Sequence, residues 1–295
     1  MNNMLGKKRN VACFVLPALI LFVSFSIIPL IISGIYSFFQ YDGIGKMNFI
    51  GLGNYIRMFL EDRHFIKAVT NSLILVGASL LIQLPISLIL AMVLARGVKG
   101  EQFFRTVYFL PVVISSMVIG QLWMKMFNSD YGLLNGLIRA MGYSKFNYSW
   151  LSNPETAFLS TVVPAVWQYI GYHMLIFYAG IKSISPDYYE AAQIDGAGKW
   201  ETLRNVTIPM VMPSITICLF LTLANTFKMY DQNLALTNGA PLKQTQMAAL
   251  NIVDLMYKQV GKQGIAQAQA VIFFIIVSVI AVLQLRATRA KEVDA

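Results

Sequence analysis

Charge is what this chain has least of. Asp, Glu, Lys and Arg make up 13% of its 295 residues, roughly half the ~25% of a soluble domain, so an ordinary globular protein with a solvated charged surface is excluded. Histidine and cysteine are scarcer still, two of each. His64 and His173 have no second His or Cys at ligand spacing, so neither marks a metal site. Cys13 and Cys218 fall inside apolar runs and read as small packing residues, which removes a disulfide framework. Enzyme signatures are missing too: there is no G-x-S-x-G, no H-E-x-x-H, and no pair of carboxylates within an apolar run. Gly196-Ala197-Gly198-Lys199 looks like the end of a phosphate loop. Gln193, however, stands where the first glycine belongs, and Trp200 stands where Ser or Thr would hold magnesium.

What is abundant is apolar sequence. The chain is 57% hydrophobic with a mean hydropathy of +0.60. A hydrocarbon core of roughly 30 Å needs about 20 helical residues. Six runs of about that length or more occur, at 11–39, 70–95, 106–124, 157–181, 205–227 and 265–285, and none contains Asp, Glu, Lys or Arg. A charge at mid-bilayer costs at least ~2.5 kcal/mol, and the alternation of a membrane barrel is absent. The expected fold is therefore all-α, a polytopic membrane protein with six transmembrane helices.

Six spans put both termini on one side, and Lys7-Lys8-Arg9 before the first run places that side in the cytoplasm. The inner segments then hold 12 Lys and Arg against 11 in the longer outer connections 40–69, 125–156 and 228–264, an asymmetry of density rather than of number. The first run exceeds the 7–15 residues of a signal-peptide core and is read as an uncleaved span. The net charge of +9 is scattered over loop ends, as anchoring charges are, and does not form a nucleic-acid patch.

Between the fourth and fifth runs lies a polar segment, 185–206. Ser185 suits an N-cap and Pro186 a first helical position, with Asp187 and Glu190 favoured by the helix dipole. Ala191 and Ala192 keep one face small, and Asp195-Gly196 closes the helix because glycine accepts the left-handed conformation. A second short helix is expected over 199–205, with Trp200 and Leu203 on one face, before Pro209 and Pro213 punctuate the fifth run. Read from its caps alone, this is an ordinary helical hairpin.

The string Glu190-Ala191-Ala192, Gly196, Val206-Thr207-Ile208-Pro209 resembles the conserved cytoplasmic E-A-A loop of permease subunits of binding-protein-dependent ABC importers. Val206 and Ile208 are conservative departures. Ile194-Asp195-Gly196-Ala197 is similar to the carbohydrate-uptake branch, which includes maltose-type and glycerol-phosphate-type permeases. Phe49-Ile50-Gly51-Leu52-Gly53-Asn54-Tyr55, Asn71-Ser72, the stretch from Phe104-Arg105 to Leu110-Pro111, Tyr230-Asp231 and Leu236-Thr237-Asn238-Gly239-Ala240-Pro241 resemble further elements of that branch. The likeness covers about 45–285.

The resemblance implies a type I ABC importer permease fold, a single membrane domain over 1–295, with an N-terminal span and outer loop at 1–69 and a permease core at 70–285. It implies that this chain is not an enzyme and holds no cofactor. ATP and magnesium would be bound by two cytoplasmic ATPase subunits that the loop at 185–206 engages through Glu190, Ala191, Ala192, Asp195, Gly196 and Pro209. A second permease subunit, expected to be a distinct chain because there is no internal repeat, and an extracytoplasmic solute-binding protein complete the assembly in a bacterial or archaeal cytoplasmic membrane. The family's solute site falls on the fourth and fifth spans, which here offer Gln168, Tyr172, Thr222, Asn225, Thr226 and Met229. Gln168 and Tyr172, like Thr222 and Thr226, are four apart and can share a helix face; amides, hydroxyls and aromatic rings suit a hydroxyl-rich solute. Polar residues also join membrane helices to one another, and His173 is read in that way. A sugar or oligosaccharide is the expected cargo. Glycerol phosphodiesters or polyols, and outside this class a secondary carrier or channel, stay open.

Overall fold

The structure, a computed structural model, describes residues 8–41, 45 and 47–289, with the side chains of 8–13 and 61 left out. Lys7, Lys291 and the side chain of Cys13 lie outside that description. Helices α1 Lys8–Phe22, α2 Ile28–Tyr36, α3 Gly53–Glu61, α4 Arg63–Ala78, α5 Leu84–Ala95, α6 Glu101–Val113, α7 Ser116–Met126 and α8 Leu133–Ala140 make up the first half. The second half contains α9 Pro154–Lys182, α10 Pro186–Ile194, α11 Lys199–Thr202, α12 Ile208–Met210, α13 Met212–Phe227, α14 Asp231–Leu236, α15 Ala248–Lys258 and α16 Gln263–Arg289. Among the described residues the strands are a two-residue antiparallel pair, β1 Phe39–Gln40 and β2 Asn48–Phe49.

Among the described residues, three helical segments are long and apolar enough to cross a membrane: Phe14–Tyr36, Arg63–Ala95 and Gln263–Arg289. Two bent pairs bring the number to five. The run at 157–181 becomes the 29-residue α9, about 44 Å at ~1.5 Å per residue. It is less apolar: Ser160, Thr161, Gln168 and His173 are buried, and Gln168 and His173 hydrogen-bond groups outside α9.

Prolines shape the spans. Each of three π-type turns, Val23–Ile27, Ser79–Gln83 and Leu203–Thr207, ends two residues before a proline, at 29, 85 and 209. A proline ring clashes with the carbonyl four residues back, and a widened turn relieves that clash without ending the helix. The third and fifth runs are each a bent pair of helices. The third bends by 97° between α6 and α7, and the fifth by 65° between Lys199–Met210 and α13. Ile114 and Ser115 are extended at the first break, and the amide of Gln168 donates to the Ile114 carbonyl at 3.1 Å. A side chain 54 positions away thus satisfies the group that the broken ladder exposes.

The described residues divide into two compact units, one within 1–63 and 252–274 and the other within 64–251 and 275–289. In the larger, α9 packs on α5, α6 and α13, with Leu84, Ala91, Leu94, Met174, Phe177, Val211 and Cys218 in the core. Close approach is set by small residues, as is usual between membrane helices. A Cβ at Gly171 would run into the carbonyl of Tyr108 on α6, and one at Gly120 would lie 2.8 Å from Ala235 on α14. In the smaller unit Asn54 of α3 donates to the carbonyls of Ser37 and Phe39, each at 2.8 Å.

Candidate functional site

The loop between α9 and α13 is built by local chemistry. Ser185 caps α10, its hydroxyl accepting the N–H of Asp187 at 3.3 Å, with Pro186 in the first turn. At the other end Gly196 takes φ +79°, the N–H of Gly196 donates to the carbonyl of Gln193 at 3.0 Å, and that of Ala197 to Ala192 at 2.9 Å. This pair of bonds is a Schellman closure. The chain restarts with the Glu201 carboxylate accepting the N–H of Gly198 at 2.7 Å. The second helix is shorter than 199–205: regular turns end at Thr202, and the widened turn before Pro209 follows.

Burial separates the two faces of α10. Tyr189 packs against the core around Ile184 and Phe177, and Ala192 is buried in its own chain. Ala191 points outward, so the small outer face contains one of the two alanines. With it are Tyr188 and Ile194, 49% and 86% exposed, at spacings of three on one helical stripe, and Trp200 follows at 70% exposed. Glu190, Asp195 and Gly196 are exposed, whereas Pro209 is half-buried where the loop joins the fifth span. A loop whose outward residues include Ile194 of α10 and Trp200 of α11 has the composition of a protein contact.

Just above the loop, the Tyr178 hydroxyl donates to Glu101 while Arg105 stacks 4.5 Å over the Tyr178 ring and pairs with Glu101 at 3.5 Å. This group, unforeseen from sequence, ties the start of α6 to the end of α9. The spacing of Glu101 and Arg105, four apart at a helix start, was its visible half.

The span residues divide by exposure. Thr222 and Thr226 face inward, 1% and 7% exposed, as their spacing of four predicts, whereas Asn225 is exposed. The Thr222 hydroxyl meets His173 Nε2 at 3.1 Å, and His173 Nδ1 lies 2.9 Å from Gln83 Nε2. His173 therefore joins three helical segments. Gln168 is 1% exposed; its Nε2 is engaged at the α6–α7 break, and its Oε1 has no donor. Tyr172 is half-buried with its ring edge-on to that of His173, and Met229 packs on the cluster of Leu75, Val162, Val166 and Met247. Trp167, 39% exposed, stacks edge-on against Trp123 at 5.7 Å.

A family model described as "Binding-protein-dependent transport system inner membrane component" matches residues 83–290. A probable starch degradation products transport system permease protein of Thermoanaerobacterium thermosulfurigenes is 37% identical over 281 residues, 95% of this chain and 94% of that one. The multiple sugar-binding transport system permease protein of Streptococcus mutans is 31% identical, with 95% of each chain covered. The trehalose/maltose transport system permease protein of Thermococcus litoralis is 30% identical over 84% of this chain and 83% of its own length. Among solved structures, a chain of a bacterial ABC transporter involved in import of the acidic polysaccharide alginate superposes with a TM-score of 0.81 at 24% identity, over 95% of both chains. That likeness carries the fold.

Proposed function

This chain belongs to the family of inner membrane components of binding-protein-dependent transport systems, and from that premise we propose that it is the permease half of an ATP-driven importer for a sugar or oligosaccharide. The observation that carries the reading is the loop at 185–206: a capped helix, closed at Gly196, that turns Tyr188, Ala191 and Ile194 outward between two spans. Starch-product, multiple-sugar and trehalose/maltose permeases among its relatives support the solute class.

In this reading α10 is the coupling helix. Two cytoplasmic ATPase subunits hold ATP and magnesium, each engaging the loop of one of two permease chains, the second permease being a distinct chain. Both termini lie in the cytoplasm, and an extracytoplasmic binding protein delivers the solute. Closure of the ATPases moves α10, and the break at Val211 carries that movement into α13. The inward- and outward-facing states lie within a few kcal/mol, so that differential binding of ATP and loaded binding protein shifts them.

The solute passes along α9 and α13. Asn225 offers an exposed amide and Tyr172 a half-buried ring, and the unpartnered Gln168 Oε1 is an acceptor for a solute hydroxyl. Thr226 and Met229 border that path. Thr222 contributes through His173, which it orients.

The test is Gly196→Leu in the reconstituted importer. A bulky side chain is strained at φ +79°, so uptake and stimulated ATP hydrolysis fall together while membrane insertion persists. Unchanged uptake and hydrolysis remove the coupling assignment. Uptake that proceeds without hydrolysis or binding protein points instead to a secondary carrier.

A further inference from the structure

Helix α3 wears its apolar face outside. Leu52, Ile56, Phe59 and Leu60, at spacings of four, seven and eight, form one stripe and are 62%, 57%, 53% and 76% exposed. The opposite face holds Asn54 and Met58, 2% and 0% exposed. A helix on a water-facing surface has the reverse arrangement.

This orientation is fixed by polar pins. Asn54 donates both amide hydrogens to backbone carbonyls of Ser37 and Phe39, the Tyr55 hydroxyl bonds that of Ser37 at 2.7 Å, and the N–H of Gly264 donates to the Tyr41 carbonyl at 3.3 Å. A Cβ at Gly264 would lie 2.7 Å from the Asn54 amide, so the inward face fits without slack. Rolling α3 to hide its apolar stripe would leave Asn54 and two buried carbonyls without partners.

The pins also set its level. They fasten α3 to residues 37–39, immediately after the Phe14–Tyr36 segment, whose most apolar window has no buried residue. That segment is apolar, long enough to cross a membrane and unburied within this chain, and α3 is held at its end. The apolar stripe is therefore continuous with the exposed apolar surface of a membrane-crossing segment. Arg57 is exposed at the flank of the stripe, where its stem can follow the apolar face while the guanidinium meets phosphate oxygens.

We propose that α3 is an in-plane membrane anchor, with Leu52, Ile56, Phe59 and Leu60 inserted in the outer leaflet and Arg57 at the lipid phosphates. It has the amphipathic pattern of helices that lie in an interface. Such an anchor holds the outer end of the first span at constant depth.

The test places a nitroxide at Ile56 or Phe59, in the assembled importer with Cys13 and Cys218 replaced, reconstituted in vesicles of phosphatidylethanolamine and phosphatidylglycerol. Relaxation by oxygen, which enters acyl chains, is compared with relaxation by a water-soluble nickel chelate. Both sites show a severalfold oxygen preference over a label at Lys262 on the exposed turn preceding α16. Preference for nickel puts the stripe in water, and protection from both reagents puts a protein over it; either overturns the anchor. Because the cysteine replacements touch the buried Cys218, a second variant keeps both cysteines and carries p-benzoylphenylalanine at Phe59. A light-induced adduct of phospholipid mass is expected, and an adduct of protein mass, with the second permease or the binding protein, refutes the proposal.

Discussion

Gln83 on the second span and His173 on α9 lie 2.9 Å apart in the buried interior of the bundle, and Thr222 of α13 closes on the other ring nitrogen at 3.1 Å. The ring bridges both partners only when Nδ1 is unprotonated; the other tautomer keeps Thr222 and gives up Gln83. Protonated at Nε2, it donates to Thr222 and accepts from Gln83; protonated at Nδ1, it donates to the Tyr169 carbonyl 3.0 Å away and accepts from the Thr222 hydroxyl. Replacing either partner leaves a polar group orphaned, and the coupling between them measures the bridge. Gln83→Leu and His173→Leu are each expected to lower thermal stability in detergent. A double-mutant cycle should give a coupling of about 0.6 to ~1.7 kcal/mol, the range for interhelical hydrogen bonds in membranes. Additive losses would show that the bridge is not formed.

Two glycines should respond in opposite ways to the same substitution. Gly171→Ala drives a methyl into the backbone of α6, forcing α6 and α9 apart at a cost on the order of 1–3 kcal/mol. Gly136→Ala on α8 meets nothing within 4 Å, and removing a helical glycine is neutral or stabilising by up to about 1 kcal/mol. Melting followed by size-exclusion chromatography separates them; equal behaviour would contradict the close α6–α9 contact.

The two faces of α10 should separate coupling from folding. Ile194→Asp changes a side chain that is 86% exposed, so the permease should keep its melting temperature yet lose association with its ATPase and stimulated hydrolysis. Ala192→Leu enlarges a buried residue and should instead lower the melting temperature. ATPase retained on an affinity-tagged permease gives the first readout, and wild-type retention by the Ile194 variant would move the docking surface elsewhere.

On α13 the exposed and buried polar residues should also part. Asn225→Ala is expected to reduce uptake severalfold without loss of stability, because Asn225 is exposed in this chain. Thr222→Val removes the hydroxyl bonded to His173 and should cost stability of roughly 1 kcal/mol. Wild-type uptake by both Asn225→Ala and Thr226→Ala would remove α13 from the solute path.

The membrane class followed from the scarcity of charge, since a run without Asp, Glu, Lys or Arg needs no tertiary context to favour lipid. The α10 loop was equally legible: Ser185, Pro186 and Gly196 act within four or five residues of themselves, and the structure places the cap and the left-handed turn at those positions. The widened turns before Pro29, Pro85 and Pro209 were not legible in the same way, because Pro17, Pro111 and Pro164 lie within helices that have no such turn.

What the sequence by itself determined was set by short-range forces and by transfer from water: which runs enter lipid, and where α10 begins and closes. Tertiary structure decided the rest. The break at Ile114 and Ser115 is stabilised by Gln168, far along the chain. Thr222 and His173 bond one another, with Asn225 left outside. The apolar stripe of α3 faces outward because Asn54 is held by carbonyls at the end of the first span. Each of these depends on which distant group satisfies a buried donor or acceptor, and one-dimensional spacing does not carry that information.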